Sequence, residues 1–311
     1  LSAALNVAQI EGLIERAANL NCFAHDLIQK ATVDSICEDD RVPLLRKLVS
    51  AFIKEASATN SLDSVLFVVV DLINRIGCSL ISCQRERALF AELNWRAGSK
   101  AIAVPDFAAA ATYCESGISF LSETCWETQY DLSLRLYETS VLSHFSNKTG
   151  DRSKLMERIN TIFQRAKDFS DKFNTHRVWT QVLSMTQLPV AIEQCMVALE
   201  QLGEPLDLSN IDYIKAREEL LNHKACFSGE SLISKPLTDS KKEKVMMIMS
   251  SLILYYHLSK SFLGAVVSCR MIEMSMKFGY CADSIYGAAA FAASLVTCLG
   301  DIDGGNTWGR K

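Results

Sequence analysis

The sequence predicts an all-α protein, built as a superhelical stack of antiparallel helix pairs. Three observations support this fold class. Apolar residues recur with the 3.6-residue period of a helix, helix-start and helix-stop residues bracket these stretches, and the helix pair itself recurs. The second helix of three successive pairs begins near Pro105, Asp151 and Pro189. The offsets are about 46 and about 38 residues, within or near the range of helical repeats.

The segment that begins at Asp151 shows the helical pattern clearly. Leu155, Ile159 and Ile162 share one face, whereas charged residues occupy the opposite face. An apolar stripe of this kind is buried only when neighbouring helices cover it. The short turn at residues 146–150 therefore predicts that the preceding helix is an antiparallel neighbour.

Similar signals predict further helices along the chain. Acidic residues followed by Pro43 open one helix, and Gly77 and Gly279 have the properties of helix stops. Asp239 is expected to begin another helix, and residues 229–236 are expected to form a loop. The other predicted helices cover residues 5–11, 26–37, 38–57, 61–76, 82–101, 211–223, 262–278 and 283–299.

The composition is typical of a globular protein and does not favour nucleic acid as a partner. The 311 residues carry a net charge of −4, so no basic excess favours nucleic acid. The eleven cysteines include no Cys-x-x-Cys pair, which predicts reduced thiols and a cytoplasmic location. We also expect the chain to be a fragment, because it begins at Leu1 and ends within what looks like another element.

Two apolar runs need to be considered as membrane spans. Val245–Leu258 is too short to cross a bilayer, and Ser284–Gly300 lies at the lower length limit. The second run is rich in Ala, Ser, Gly and Cys, which makes it weakly hydrophobic. We therefore predict that it is a helix buried against small residues, and that the chain has no membrane span.

The first forty residues differ from the rest of the chain. A short helix, a weakly alternating hairpin near residues 13–24 and a second helix at 26–37 follow one another. Helix, hairpin and helix together indicate part of a small winged-helix module. A plain helical hairpin is the alternative.

Residues 23–31, Phe-Ala-His-Asp-Leu-Ile-Gln-Lys-Ala, resemble a signature near the end of the ATPase module in signal-transduction ATPases of the STAND class. The resemblance implies that His25 and Asp26 correspond to a Met-His-Asp motif, whose histidine approaches the β-phosphate of ADP. Ala24 departs from the methionine of that motif. No phosphate-binding Gly-x-x-x-x-Gly-Lys-(Ser/Thr) loop occurs here, so we expect no cofactor in this fragment, and ATP or ADP only in a longer parent protein.

Several later segments, in order, resemble the tetratricopeptide-like (TPR-like) helical region that follows the ATPase in large multidomain sensor kinases. The resemblance implies that residues 1–80 are the C-terminal edge of an ATPase module, with a winged-helix remnant, and that residues 81–311 are a TPR-like α-solenoid. Residues 139–147 depart from the alanine-rich pattern of that family. The segments that carry the resemblance are 93–101, 107–113, 126–132, 191–199, 276–280 and 300–305.

No motif predicts catalysis or metal binding. Residues 301–305 have some features of a calcium loop but lack its required glycine, and a turn is predicted instead. The remaining histidines have no metal-ligand spacing, and no nucleophile elbow occurs.

The sequence thus predicts a non-catalytic helical scaffold within an ATP-dependent signalling protein. Its expected partner is a protein, a peptide or the parent's own ATPase domain. The alternative is a free-standing helical adaptor without a link to nucleotides.

Overall fold

The computed structural model describes residues 2–17, 20–59, 61–147, 150–226 and 235–310. Within these ranges the chain is predominantly helical with almost no strand, which confirms the predicted all-α class. The helices of the first part are α1 Ser2–Ile10, α2 Asp26–Asp34, α3 Glu38–Ala58, α4 Leu62–Ile76, α5 Gln84–Ala103, α6 Phe107–Phe120, α7 Cys125–Thr128 and α8 Tyr130–Ser146. Those of the second part are α9 Arg152–Arg165, α10 Phe169–Ser184, α11 Leu188–Gln201, α12 Tyr213–Cys226, α13 Ser240–Leu258, α14 Leu263–Phe278, α15 Ala282–Leu299 and α16 Ile302–Gly309.

The chain divides into two compact units, residues 1–151 and residues 152–311. The predicted pairing of α8 with α9 crosses this division and stays a prediction, as does the superhelical stack. Whether residues 1–80 belong to an ATPase module is not tested by the fold, and that domain assignment also stays a prediction.

The first unit contains the predicted hairpin. Strand β1 (Ile14–Ala17) pairs antiparallel with β2 (Leu20–Phe23), and Ile14 lies opposite Phe23. With α1 before it and α2 after it, the helix–hairpin–helix order agrees with the sequence. Its winged-helix assignment is not tested by this order alone.

The hydrophobic core of the first unit lies among α3, α4, α5, α6 and α8. Consecutive helices pack on one another, and α8 packs on both α5 and α6. The core is built from the apolar faces that the helical period predicts. Its largest fully buried side chains include Leu66, Ile73, Leu93, Phe120 and Leu136.

Two glycines permit close packing of α5, α6 and α8. A Cβ atom on Gly117 would lie 2.6 Å from Cδ2 of Leu136 and 3.0 Å from Cβ of Asn94. A Cβ atom on Gly98 would lie 2.7 Å from Sγ of Cys114. Real Cβ atoms do not approach other heavy atoms below about 3 Å without strain. The absence of a Cβ at these two glycines therefore permits the short distances between α5, α6 and α8.

The second unit has two hydrophobic clusters. One is formed mainly by α10, α11, α13 and α14 and includes Met246 and Met249. The other joins α12, α14, α15 and α16 around Phe291, Leu295 and Trp308. Met246 and Met249 are therefore part of the hydrophobic core.

Helix caps largely follow the sequence signals. The carboxylate of Asp106 accepts a hydrogen bond from the backbone N–H of Ala109 at 3.0 Å, and Asp239 accepts one from Lys241 at 2.8 Å. Pro189 lies in the first turn of α11, and Gly279 ends α14 with a φ of 110°. Each of these helix boundaries was predicted from the residue type.

One local prediction was wrong. The segment that begins at Asp301 is a helix start rather than a turn, because the Asp301 carboxylate accepts a hydrogen bond from Gly304 N–H at 2.9 Å and caps α16. Two glycines in the first turn favoured a turn, but Trp308 is buried against Phe291 and stabilises the helix. Most of the loop predicted at 229–236 lies outside the described residues.

Candidate functional site

The first candidate site is the start of α2, where the sequence places His25 and Asp26. The Nδ1 atom of His25 accepts a hydrogen bond from the backbone N–H of Leu27 at 3.1 Å, and its carbonyl oxygen accepts one from Ile28 at 3.0 Å. His25 is therefore the N-cap of α2. A neutral imidazole that accepts at Nδ1 carries its proton on Nε2, which leaves that N–H able to donate to an anion.

Some groups at this helix start favour the binding of a phosphate and others oppose it. The side chain and carbonyl of His25 already occupy the N–H groups of Leu27 and Ile28. The carboxylate of Asp26 lies in the first turn of α2, where its negative charge interacts favourably with the helix dipole. The same charge would repel a bound phosphate. The arrangement is compatible with one N–H donor to phosphate, from Nε2 of His25, and does not test the proposed role.

The segment around this helix start has an unusual surface. Among residues 5–36 whose side chains are described, none is buried. Large apolar side chains are instead exposed: Ile10 by 83%, Leu27 by 69% and Val7 by 59%. A helix–hairpin–helix with no described core residue gains little of the hydrophobic stabilisation that normally offsets the entropy cost of ordering the chain.

A second candidate site is a groove of about 430 Å³ between α4 and α6 in the first unit. Both walls consist of residues that recur at intervals of three or four, so each wall is one face of a helix. We call this surface the α4–α6 groove. Its lining residues are Asp71, Asn74 and Arg75 on α4, and Ala109, Thr112, Tyr113 and Ser116 on α6.

The Asn74 side chain in this groove is oriented by a buried asparagine of α5. Nδ2 of each residue donates to Oδ1 of the other, and both distances are 3.0 Å. Asn94 is fully buried and donates its second N–H to the carbonyl oxygen of Phe90 at 3.0 Å. The Asn94 amide is thereby satisfied, while Asn74 keeps one N–H for another acceptor.

Tyr113 and Asp71 connect the two walls of the groove. The Tyr113 hydroxyl donates to Oδ1 of Asp71 at 3.1 Å, and the Tyr113 ring contacts Phe67 with a centroid distance of 5.7 Å. Burial, followed by the nearby Asp71 carboxylate, raises the pKa of Tyr113 to about 12. Tyr113 is therefore a neutral hydrogen-bond donor at physiological pH and not a general base.

The buried His144 lies beside the carboxylate of Glu115. Nε2 of His144 lies 3.3 Å from Oε1 of Glu115, which also accepts a hydrogen bond from Ser140 at 2.7 Å. The serine hydroxyl thus contacts the carboxylate and not the imidazole, which is not the order of a nucleophile–base–acid triad. Within the ranges that the structure describes, no group of His, Cys, Asp and Glu could hold a metal ion.

Helix α15 is the apolar run considered above as a membrane span. In the described part of the chain it is the one helix that is long and apolar enough to cross a bilayer, a test that core helices also pass. Phe291 and Leu295 of α15 pack into the core of the second unit. Only 28% of the residues in this helix are buried, however. The predicted burial therefore holds for one face of the helix.

Comparisons with protein-family models, curated proteins and solved structures give no match for this chain. The two resemblances noted in the sequence therefore stay hypotheses. Sequence reasoning singled out His25 and Asp26 but missed the α4–α6 groove. The recurrence of Asp71, Asn74 and Arg75 on one polar face of α4 was the available signal.

Proposed function

We propose that the chain is a non-catalytic helical scaffold of a larger, ATP-dependent signalling protein. In this proposal residues 1–80 include a winged-helix remnant at the edge of a STAND-class ATPase module. Residues 81–311 form a TPR-like α-solenoid that mediates contacts with a protein, a peptide or the ATPase itself. The chain binds no cofactor on its own, and ADP is held only in the intact parent.

The observation that carries this proposal is the exposed apolar surface of residues 5–36. Ordering a backbone costs roughly 1–2 kcal/mol per residue, and burial of a Leu or Ile side chain returns about 1.5–3 kcal/mol. Since none of the described side chains in this segment is buried, the segment needs an outside surface to stabilise it. A globular domain with an apolar face, such as an adjoining ATPase module, provides one.

Hydrogen exchange tests the proposal on the isolated chain and on its full-length parent. We expect the amides of β1, β2 and α2 to exchange rapidly in the isolated chain, while those of α5 and α6 are protected. In the parent the same segment should become protected. Equal protection of β1, β2 and α5 in the isolated chain would show that the segment is self-sufficient and would contradict the proposal.

Two substitutions locate the docking surface. Ile10→Asp should abolish the protection gained in the parent, because it puts a charge on the apolar surface. Ile285→Asp is the matched control, since Ile285 is 70% exposed and lies on α15 in the other unit. The alternative, a free-standing adaptor, predicts no protection from any domain of a parent and no effect of either substitution on the exchange of residues 5–36.

A further inference from the structure

The α4–α6 groove contains a cation that pairs with none of the described residues. Arg75 lines the groove, is exposed and makes no ion pair or hydrogen bond with a described residue. By contrast, Arg96 on α5 pairs with Asp63 at 2.7 Å, and Arg135 on α8 pairs with Glu92 at 3.0 Å. The groove therefore presents an unused guanidinium beside the unused N–H of Asn74.

The opposite wall presents hydroxyl groups at a regular interval. Thr112 donates its hydroxyl hydrogen to the carbonyl of Ala108 at 3.1 Å, so its oxygen remains an acceptor. Ser116 lies one turn further along α6, and no described residue bonds its hydroxyl. Four residues of helix rise about 6 Å, and two residues of an extended strand span about 6.6–6.8 Å. Alternate N–H groups of an extended peptide thus match the spacing of these two oxygens.

We propose that the α4–α6 groove binds an extended peptide that carries an acidic side chain. Backbone N–H groups on one edge of the peptide donate to Thr112 and Ser116. A carbonyl oxygen on the other edge of the peptide accepts a hydrogen bond from the free N–H of Asn74. The acidic side chain of the peptide pairs with Arg75. This binding site is separate from the docking surface of residues 5–36, so either proposal can fail alone.

The charge of the groove selects a carboxylate over a phosphate. Asp71 lies one turn before Arg75 on the same wall, so the groove carries one negative and one positive side chain. A singly charged carboxylate neutralises Arg75, whereas a phosphate dianion adds a second negative charge near Asp71. Orientation of Asn74 by the buried Asn94 reduces the entropy cost of binding, because that amide is already ordered.

A phage-displayed library of random linear dodecapeptides tests the proposal, with the intact 311-residue chain as the target. We expect the selected peptides to share Asp or Glu at one aligned position. Arg75→Gln should weaken their binding about tenfold or more, because a charge-assisted pair is lost. Ser116→Ala should weaken it by a smaller factor, and replacement of the shared acid by its amide should reproduce the Arg75→Gln effect.

Arg85→Gln is the matched control, since Arg85 is exposed on α5 and does not line the groove. Both arginines are exposed, so neither substitution should change the melting temperature. Equal binding to wild type and Arg75→Gln would overturn the proposed acidic pairing. Failure to select any peptide above background would overturn peptide binding by the groove, and would leave the docking of residues 5–36 to be decided by hydrogen exchange.

Discussion

The buried histidine of α10 gives a quantitative prediction for the pH dependence of stability. His176 is nearly inaccessible to solvent and contacts the rings of Phe163, Phe169 and Trp179 at centroid distances of 6.4, 5.4 and 5.7 Å. Burial lowers the pKa of His176 from 6.5 to about 4, and a hydrogen bond with Gln194 opposes this effect only in part. The imidazole is therefore neutral in the folded protein at pH 7.

The sign of the effect follows from proton binding. Between pH 6.5 and about 4 the unfolded chain binds a proton at His176 that the folded chain does not bind. The free energy of unfolding must therefore fall as the pH is lowered through this range. One pKa unit corresponds to about 1.4 kcal/mol, so the full difference amounts to about 3 kcal/mol near pH 4.

Urea unfolding between pH 7.5 and 4.5 measures this contribution when wild type is compared with His176→Gln. The variant loses stability at pH 7.5 through poorer packing, but the difference between the two proteins should shrink as the pH falls. His257→Gln is the control, because it replaces an exposed histidine of the same unit and leaves His176 in place. Parallel pH curves for wild type and His176→Gln would refute the assignment.

Three further substitutions test packing and capping by urea unfolding. Gly117→Ala should cost about 1–3 kcal/mol because its Cβ overlaps Leu136, whereas Gly309→Ala, with no atom within 4 Å, should change stability by less than about 0.5 kcal/mol. Ile159→Asp should cost several kcal/mol because Ile159 is fully buried, while the exposed neighbour Asn160 should tolerate aspartate. Asp106→Ala should cost about 1 kcal/mol through loss of the α6 cap. An unfolding free energy that is unchanged by Gly117→Ala or Ile159→Asp would contradict the packing described.

Helix existence and helix caps could be predicted from the sequence because their causes are local. The carboxylates of Asp106 and Asp239 bond N–H groups two or three residues away, and Gly279 adopts a positive φ that other residues avoid. Where a local signal competed with a distant contact, prediction failed. Asp301 begins a helix because the buried Trp308 stabilises it, and that burial is not visible in the sequence around residue 301.

The α4–α6 groove could not be predicted because it depends on which helices are neighbours. Asn74 and Asn94 are twenty positions apart, and each amide is satisfied only when α4 and α5 pack in one register. That no described residue pairs with Arg75 is likewise a property of the fold. Residues 5–36 illustrate the converse case, since their helix–hairpin–helix order was predicted while the exposure of their apolar residues was not.

ADP affinity of the full-length parent tests the proposed link to a nucleotide most directly. His25→Asn should retain the cap of α2, because asparagine is a good N-cap residue, but its shorter side chain no longer places an N–H donor at the position of Nε2. A charge-assisted hydrogen bond is worth about 1.5–3 kcal/mol, so His25→Ala and His25→Asn should both weaken ADP binding about tenfold or more and raise basal signalling. Equal ADP affinities for wild type and His25→Asn would contradict the proposed role of His25 and leave only the proposal of a helical scaffold.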